Sequence, residues 1–169
     1  PFGEYTPLTG DRFPSTLMPQ SLRSWLKQMN ATAGNFSAGK MPAVFVYPPG
    51  IAAGAAAEVK ISPLICYEDI IPGLSRDSTN AGAELLVNLS NDAWFGESVE
   101  PLQHNLIASF RAIENRRYLV RSTNTGLTAI IGPSGETAAQ LPTYTEGTLL
   151  ANVALIGYKT IYTRFIGER

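Results

Sequence analysis

The chain holds one cysteine and one histidine, Cys66 and His104, and that scarcity narrows its chemistry at once. A single thiol excludes an internal disulfide, and a single imidazole beside it argues against a cysteine- or histidine-based metal centre. Long apolar runs are missing as well. None approaches the roughly 18 residues that span a bilayer, and the opening residues do not read as a signal peptide. Charge of one sign is equally thin. The net charge is −1 and the 13 basic residues are scattered, which excludes the basic stripe of a nucleic-acid binder. Internal repeats are absent too.

What remains is a folded segment. The chain has 169 residues, 44% of them hydrophobic and 16% charged, enough for one domain with a core and too few for two ordinary ones. It opens on Pro1-Phe2-Gly3-Glu4-Tyr5 without an initiator methionine, and it stops where Tyr158 to Phe165 turns aromatic and amphipathic. A piece of a longer protein is therefore expected.

Residues 1 to 20, rich in Pro, Gly and Thr, read as loop. The spacing of Leu22, Trp25, Leu26 and Met29 predicts a short helix near 20–30. Ala43 to Tyr47 is a strand candidate halted by Pro48-Pro49-Gly50, and Gly50 to Ala57 is a hairpin connection. The next strand runs from Val59 to Cys66, and Pro63 inside it requires an edge position or a bulge. A helix is predicted from Pro72 to about Ala81, closed by Gly82, followed by a buried strand over 85–89. The strongest helix signal covers about 100–119, where Leu102, Leu106, Phe110 and Ile113 form one apolar stripe and Arg111, Glu114 and Arg117 take polar positions. Strands follow at 119–122, 128–132 and 148–153, with a turn at Pro133-Ser134-Gly135-Glu136. Helices and strands alternating early, then strands clustering, fit an α/β sandwich with helices on the outer faces of mixed sheets.

Three segments can carry chemistry. An apolar strand ends abruptly on Cys66, with Tyr67, Glu68 and Asp69 beyond it. A thiol ionises near pH 8.5 and needs help to act as a nucleophile at neutral pH. Glu68 can orient neighbouring groups, and the Tyr67 backbone N–H can face an oxyanion. Equally, Cys66 can be a small buried hydrophobe, and Glu68 and Asp69 can simply cap the helix that follows. Ser90 to Gly96 places polar residues and adjacent aromatics at a strand end, as in a pocket wall. Alternatively, Asn91 and Asp92 make an Asx turn and Trp94 is core. Glu4, in a Gly/Pro loop, is either a second carboxylate of a site or solvated. His104 can serve as a base for Cys66 or make a structural hydrogen bond.

Taken together, Pro1-Phe2-Gly3-Glu4, Ile65-Cys66-Tyr67-Glu68, Ser90-Asn91-Asp92-Ala93-Trp94-Phe95-Gly96, His104, Arg111-Ala112-Ile113-Glu114 and Arg121-Ser122-Thr123-Asn124-Thr125-Gly126 occur in the order found in apolipoprotein N-acyltransferases. The sequence resembles that family through nearly its whole length, most weakly at about 9–58. The conjunction of these motifs, rather than Cys-x-Glu alone, separates it from soluble nitrilases and amidases. The family consists of bacterial inner-membrane enzymes with a nitrilase-like periplasmic domain. The resemblance implies an α/β fold, a nitrilase-like α-β-β-α sandwich incomplete at its N-terminal side. Residues 1–169 would then be the C-terminal two-thirds of that domain, with the parent's transmembrane segments lying elsewhere.

The resemblance also implies roles. Cys66 is the nucleophile that takes an acyl chain from a phospholipid as a thioester, and the free α-amine of an apolipoprotein cysteine then accepts it. Glu4 and Glu68 are further carboxylates of the site, Tyr67 supplies an oxyanion N–H, and Asn91 and Trp94 lie on the substrate side. No cofactor and no metal is implied. The family's general base and oxyanion lysine fall upstream of Pro1, and neither Lys40 nor Lys60 sits where the motif puts that lysine. The chain alone is therefore expected to be inactive. Two other expectations stand beside this one: a soluble carbon–nitrogen hydrolase cutting a small amide, and a nitrilase-like binding domain that has lost catalysis.

Overall fold

The computed structural model describes residues 19–29, 39, 41–50 and 57–166. The chain divides into two compact units, 1–40 and 41–169. In the first, the predicted helix is present as α1, Gln20–Met29. Glu4 lies outside the described residues.

The second unit is built on a mixed six-stranded sheet whose spatial order follows the chain: β1 (Phe45–Tyr47), β2 (Val59–Ile65), β3 (Leu85–Ser90), β4 (Tyr118–Thr123), β5 (Thr128–Ile131) and β6 (Thr137–Leu141). β2, β3 and β4 are parallel, and the other neighbours are antiparallel. Two helices make the parallel crossovers, α2 (Pro72–Asn80) and α3 (Glu100–Asn115). Parallel strands need such connections, and their common right-handedness places both helices on one face of the sheet. Pro63 pairs with Val87 on one side, whereas β1 reaches only as far as Ile61 on the other. The proline thus sits where β2 has no second strand partner, which is the edge position it requires.

The core lies between that face and the helices. Leu64, Leu86, Leu119, Ala129 and Ile131 meet Ala108 and Ala112 of α3, with Leu74 of α2 packed against them. Alternate residues of each strand point the other way, and Ile65 and Leu89 on that side are exposed. There a cleft of about 580 Å³ opens beside Val120, Ser122, Ile130, Leu141 and Tyr144.

Two sequence expectations are corrected. The stripe of Leu102, Leu106 and Phe110 faces outward, each residue more than half exposed. The inward face of α3 instead carries His104, Ala108, Ser109, Arg111, Ala112 and Asn115. Small residues let the helix approach the sheet, and the polar ones meet strand ends and turns that offer hydrogen-bond partners. The helix also ends at Asn115, because Arg116 adopts a left-handed conformation with φ 49°. Arg117 is buried and donates to the carbonyls of Ala83, Asn115, Arg116 and Tyr158, tying the end of the helix to its surroundings.

The second correction concerns the last strand. Residues 148–153 form no strand, and Leu150 is 94% exposed. The edge next to β5 is taken by β6, which directly follows the turn at 133–136. A tight turn pairs the residues immediately after it with those immediately before. Gly135 makes this possible with φ 88°, and a Cβ there would come within 2.6 Å of the Ile113 side chain.

Candidate active site

Ligand sites of open α/β sheets form beyond the carboxyl ends of the parallel strands. Cys66, the Ser90–Phe95 segment and the Asn124–Gly126 loop follow the carboxyl ends of β2, β3 and β4 in turn. Cys66 begins a 3₁₀ turn, Cys66–Ile70, with φ 49°. A left-handed non-glycine residue at a strand end costs on the order of 1 kcal/mol and is concentrated at functional sites. Three buried side chains hold it there, through four contacts. Asn88 donates from Nδ2 to the carbonyls of Leu64 (3.1 Å) and Cys66 (2.9 Å). Glu68, itself buried, accepts the Ile65 N–H at 2.8 Å, fixing the backbone just before the thiol. The Ser90 hydroxyl lies 3.6 Å from the Cys66 sulfur.

Behind Ser90 is a buried set of four charges. Asp69 accepts from Arg121 Nε at 2.9 Å through Oδ2, and its Oδ1 lies 2.7 Å from His104 Nε2. Asp92 accepts the Ser90 hydroxyl at 2.5 Å, with His104 Nδ1 at 3.5 Å and Arg121 Nη2 at 4.0 Å. All four side chains are almost fully buried. Buried charges persist only when paired, and here two carboxylates face two cations. Burial opposes a charge on His104, but the Asp69 carboxylate that accepts from it and the Asp92 carboxylate beside it overcome that and push its pKa up to about 9. Burial likewise pushes Asp92 upward, and His104, Ser90 and Arg121 outweigh it, leaving the carboxyl below its ordinary value. Burial drives Glu100, one turn before His104, above its ordinary value.

His104 is therefore an imidazolium at neutral pH and no base for Cys66. The unfolded imidazole loses its proton near pH 6.5, whereas the folded one keeps it to about 9. Its contribution, about 3 kcal/mol by linkage, is complete below pH 6.5 and fades as pH rises to about 9. Urea midpoints measured from pH 6 to 9.5 should fall across that window and lose most of this fall in His104→Gln. A level profile for the unaltered chain contradicts the pairing.

The loops beyond Asp92 interlock. Asn91 Oδ1 accepts from the Ala93 N–H at 3.2 Å and from Asn124 Nδ2 at 2.6 Å, while Asn124 Oδ1 accepts the Asp92 N–H at 3.1 Å. Gly126 backs directly onto Asp92, and a Cβ at that position would collide with its carboxylate. The Asx-turn reading thus holds for Asn91, while Asp92 belongs to the charge set. Trp94 is 82% exposed and is not core. Tyr67 is exposed beside Cys66.

Among the residues singled out from sequence, Cys66, Tyr67, Glu68, Asn91 and Trp94 sit on neighbouring turns at one end of the sheet. The sequence reading missed the parts played by Asn88, Ser90, Asp69, Asp92 and Arg121. A polar Asn88 within Leu85-Leu86-Val87-Asn88-Leu89, and Arg121 in phase with buried Leu119, were the signals to follow. Among the described residues no three Cys, His, Asp or Glu side chains are grouped to hold a metal ion. No helix among them is long and apolar enough to cross a membrane.

Residues 14–161 match the carbon-nitrogen hydrolase family model. The chain is 39% identical over 165 residues to the apolipoprotein N-acyltransferase of Geobacter metallireducens, covering 98% of this chain and 28% of that protein. It is 48% identical over 109 residues to that of Shewanella oneidensis, covering 64% of this chain and 21% of that protein. The chain thus spans less than a third of these relatives' lengths. Among solved structures, an amidase from Nesterenkonia sp. superposes with a TM-score of 0.51 at 18% identity, over 79% of this chain and 47% of that one. A variant of the Nesterenkonia amidase, described as belonging to the nitrilase superfamily, gives 0.50 at 19% identity, over 66% and 41%. These likenesses agree with the α/β, nitrilase-like fold expected from the motifs. With the family pattern running through nearly all of its residues, the chain belongs to the carbon-nitrogen hydrolase family.

Proposed function

We propose that this chain carries the nucleophile of an acyltransferase that moves an acyl chain from a phospholipid to the N-terminal amine of an apolipoprotein cysteine. The observation that carries the reading is Cys66 itself. Its sulfur stands at the carboxyl end of a parallel strand, on a left-handed turn held by Asn88 and Glu68. The relatives named apolipoprotein N-acyltransferase support the substrate class.

The Cys66 thiolate attacks the ester carbonyl carbon of the phospholipid, and the carbon–oxygen bond breaks. The lysophospholipid leaves after taking a proton, and a thioester remains. The acceptor amine then attacks that carbonyl and loses a proton. The carbon–sulfur bond breaks, and an amide and a free thiol result. Two acyl transfers replace one difficult ester-to-amide exchange.

Tyr67 lies in the first turn of its 3₁₀ segment, where N–H groups lack partners inside the helix, and its amide is the oxyanion donor in this scheme. Trp94 and Asn91 stand on the substrate side, and Glu68 supports the nucleophile's turn. Glu4 is a further carboxylate. Residues 1–169 are the C-terminal two-thirds of the nitrilase-like domain. The base, the lysine and the membrane segments belong to other parts of the parent, which sits in the bacterial inner membrane facing the periplasm. The isolated 169 residues are inactive.

Full-length protein incubated with a phospholipid labelled in its sn-1 acyl chain should carry that label on Cys66, in a form released by hydroxylamine. Labelled protein that never bears the acyl group on Cys66, or a protein that only cleaves small amides, refutes the scheme.

A further inference from the structure

Among the described residues, the Cys66 sulfur has one hydrogen-bond partner, the Ser90 hydroxyl at 3.6 Å. That hydroxyl owns a single proton and faces two acceptors, the sulfur and Asp92 Oδ1 at 2.5 Å. The two acceptors differ in what else they have. Asp92 keeps His104 at 3.5 Å and Arg121 at 4.0 Å as counter-charges whichever way the proton points. For the Cys66 sulfur, the hydrogen-bond partner among the described residues is that same hydroxyl.

We propose that Ser90 is the positioning residue of the nucleophile: its hydroxyl turns from Asp92 to the Cys66 sulfur as the thiol ionises, and returns when the sulfur is acylated. This rests on the function proposed for Cys66 and adds a residue to it. No atom is transferred in the swing. Ser90 keeps its proton, and the thiol proton leaves to the enzyme's general base.

The surroundings suit the task. Ser90 is 9% exposed at the carboxyl end of β3, and Cys66 is partly buried, so bulk water does not readily replace the hydroxyl. Hydrogen bonds to ionised groups are roughly twice as strong as neutral ones, so once Cys66 ionises its sulfur becomes a charged acceptor like Asp92, and Asp92 can release the hydroxyl because its counter-charges stay in place. The ionisable groups around the pair are Tyr67, Glu68 and Asp69 from the 3₁₀ turn, Asp92 after β3, Glu100 and His104 from α3, and Arg121 from β4. Of these, Asp92 accepts the Ser90 hydroxyl, and His104 and Arg121 favour its ionised form.

The test is the pH dependence of Cys66 alkylation by iodoacetamide in the full-length protein, read on the Cys66 peptide by mass spectrometry. Ser90→Ala should move the midpoint up by about one pH unit, slowing alkylation at pH 7 about tenfold. Ser90→Thr, which keeps the hydroxyl, should stay close to the unaltered profile. A purely structural role for Ser90 would not shift a midpoint. An unchanged profile in folded Ser90→Ala overturns the proposal. So does a folded Ser90→Thr whose midpoint rises by about one pH unit, which also decides the matter should Ser90→Ala not fold. If the midpoint shifts as stated but Cys66 of the unaltered protein never acquires an acyl group, the transferase reading fails while the Ser90 assignment stands. If Cys66 is acylated but the midpoint does not move, the transferase reading stands and the Ser90 assignment fails.

Discussion

In the full-length protein, Cys66→Gly is expected to lose the proposed acyl transfer by roughly four to six orders of magnitude, the scale on which removal of a covalent nucleophile is felt, and yet to fold at least as stably as the unaltered protein. The two effects have one cause. Cys66 holds φ 49°, which glycine adopts freely and other residues adopt at a cost. Glycine relieves that strain, and its own greater loss of backbone freedom offsets part of the relief, leaving a gain of up to about 1 kcal/mol. Cys66→Ala is the necessary partner variant: equally inactive, it keeps the strained backbone and gains nothing. Denaturant midpoints of the three proteins alongside their transfer rates provide the measurement. A glycine variant clearly less stable than the alanine one shows that the turn is not strained, and residual transfer near the original rate removes Cys66 from the chemistry.

The other large effect is on stability. Asp69→Ala should cost about 3–5 kcal/mol, the usual penalty for stripping one partner from a buried ion pair. Asp69 is wholly buried and joins His104 on one oxygen to Arg121 on the other. Its removal leaves two cations facing Asp92 alone. Asp69→Asn retains a side-chain oxygen to accept from Arg121 and should cost distinctly less. Thermal or urea unfolding of both variants separates the two outcomes, and an alanine variant within about 1 kcal/mol of the original shows that the charges are hydrated after all.

Much of this fold was legible from spacing and punctuation. Pro72 starts α2 and Gly82 follows its end, and the apolar runs at 85–89 and 128–131 become β3 and β5. Where the reading failed, tertiary context overrode local pattern. The Leu102, Leu106 and Phe110 stripe follows helical spacing, so periodicity assigns it to the core. The helix turns it outward because His104, Arg111 and Asn115 have partners only on the other side. Likewise Leu149 and Leu150 resemble a strand locally, but β6 had already occupied the place beside β5.

The site was legible in part, for a related reason. A candidate nucleophile stands out by residue type and by the polar cluster after a strand, which is how Cys66, Tyr67, Glu68, Asn91 and Trp94 were singled out, and all five lie at one end of the sheet. Its supports do not. Asp69 and Arg121 are 52 residues apart in sequence and 2.9 Å apart in space, a distance that no local window contains.

The four buried charges have a bearing on how the molecule matures. They arrive on four separate stretches of chain, two after β2 and β3, one on α3 and one on β4. A half-assembled intermediate that buries any one of them strands an ion away from water. Burial of the set is therefore expected to be concerted, the four stretches giving up water together rather than one at a time.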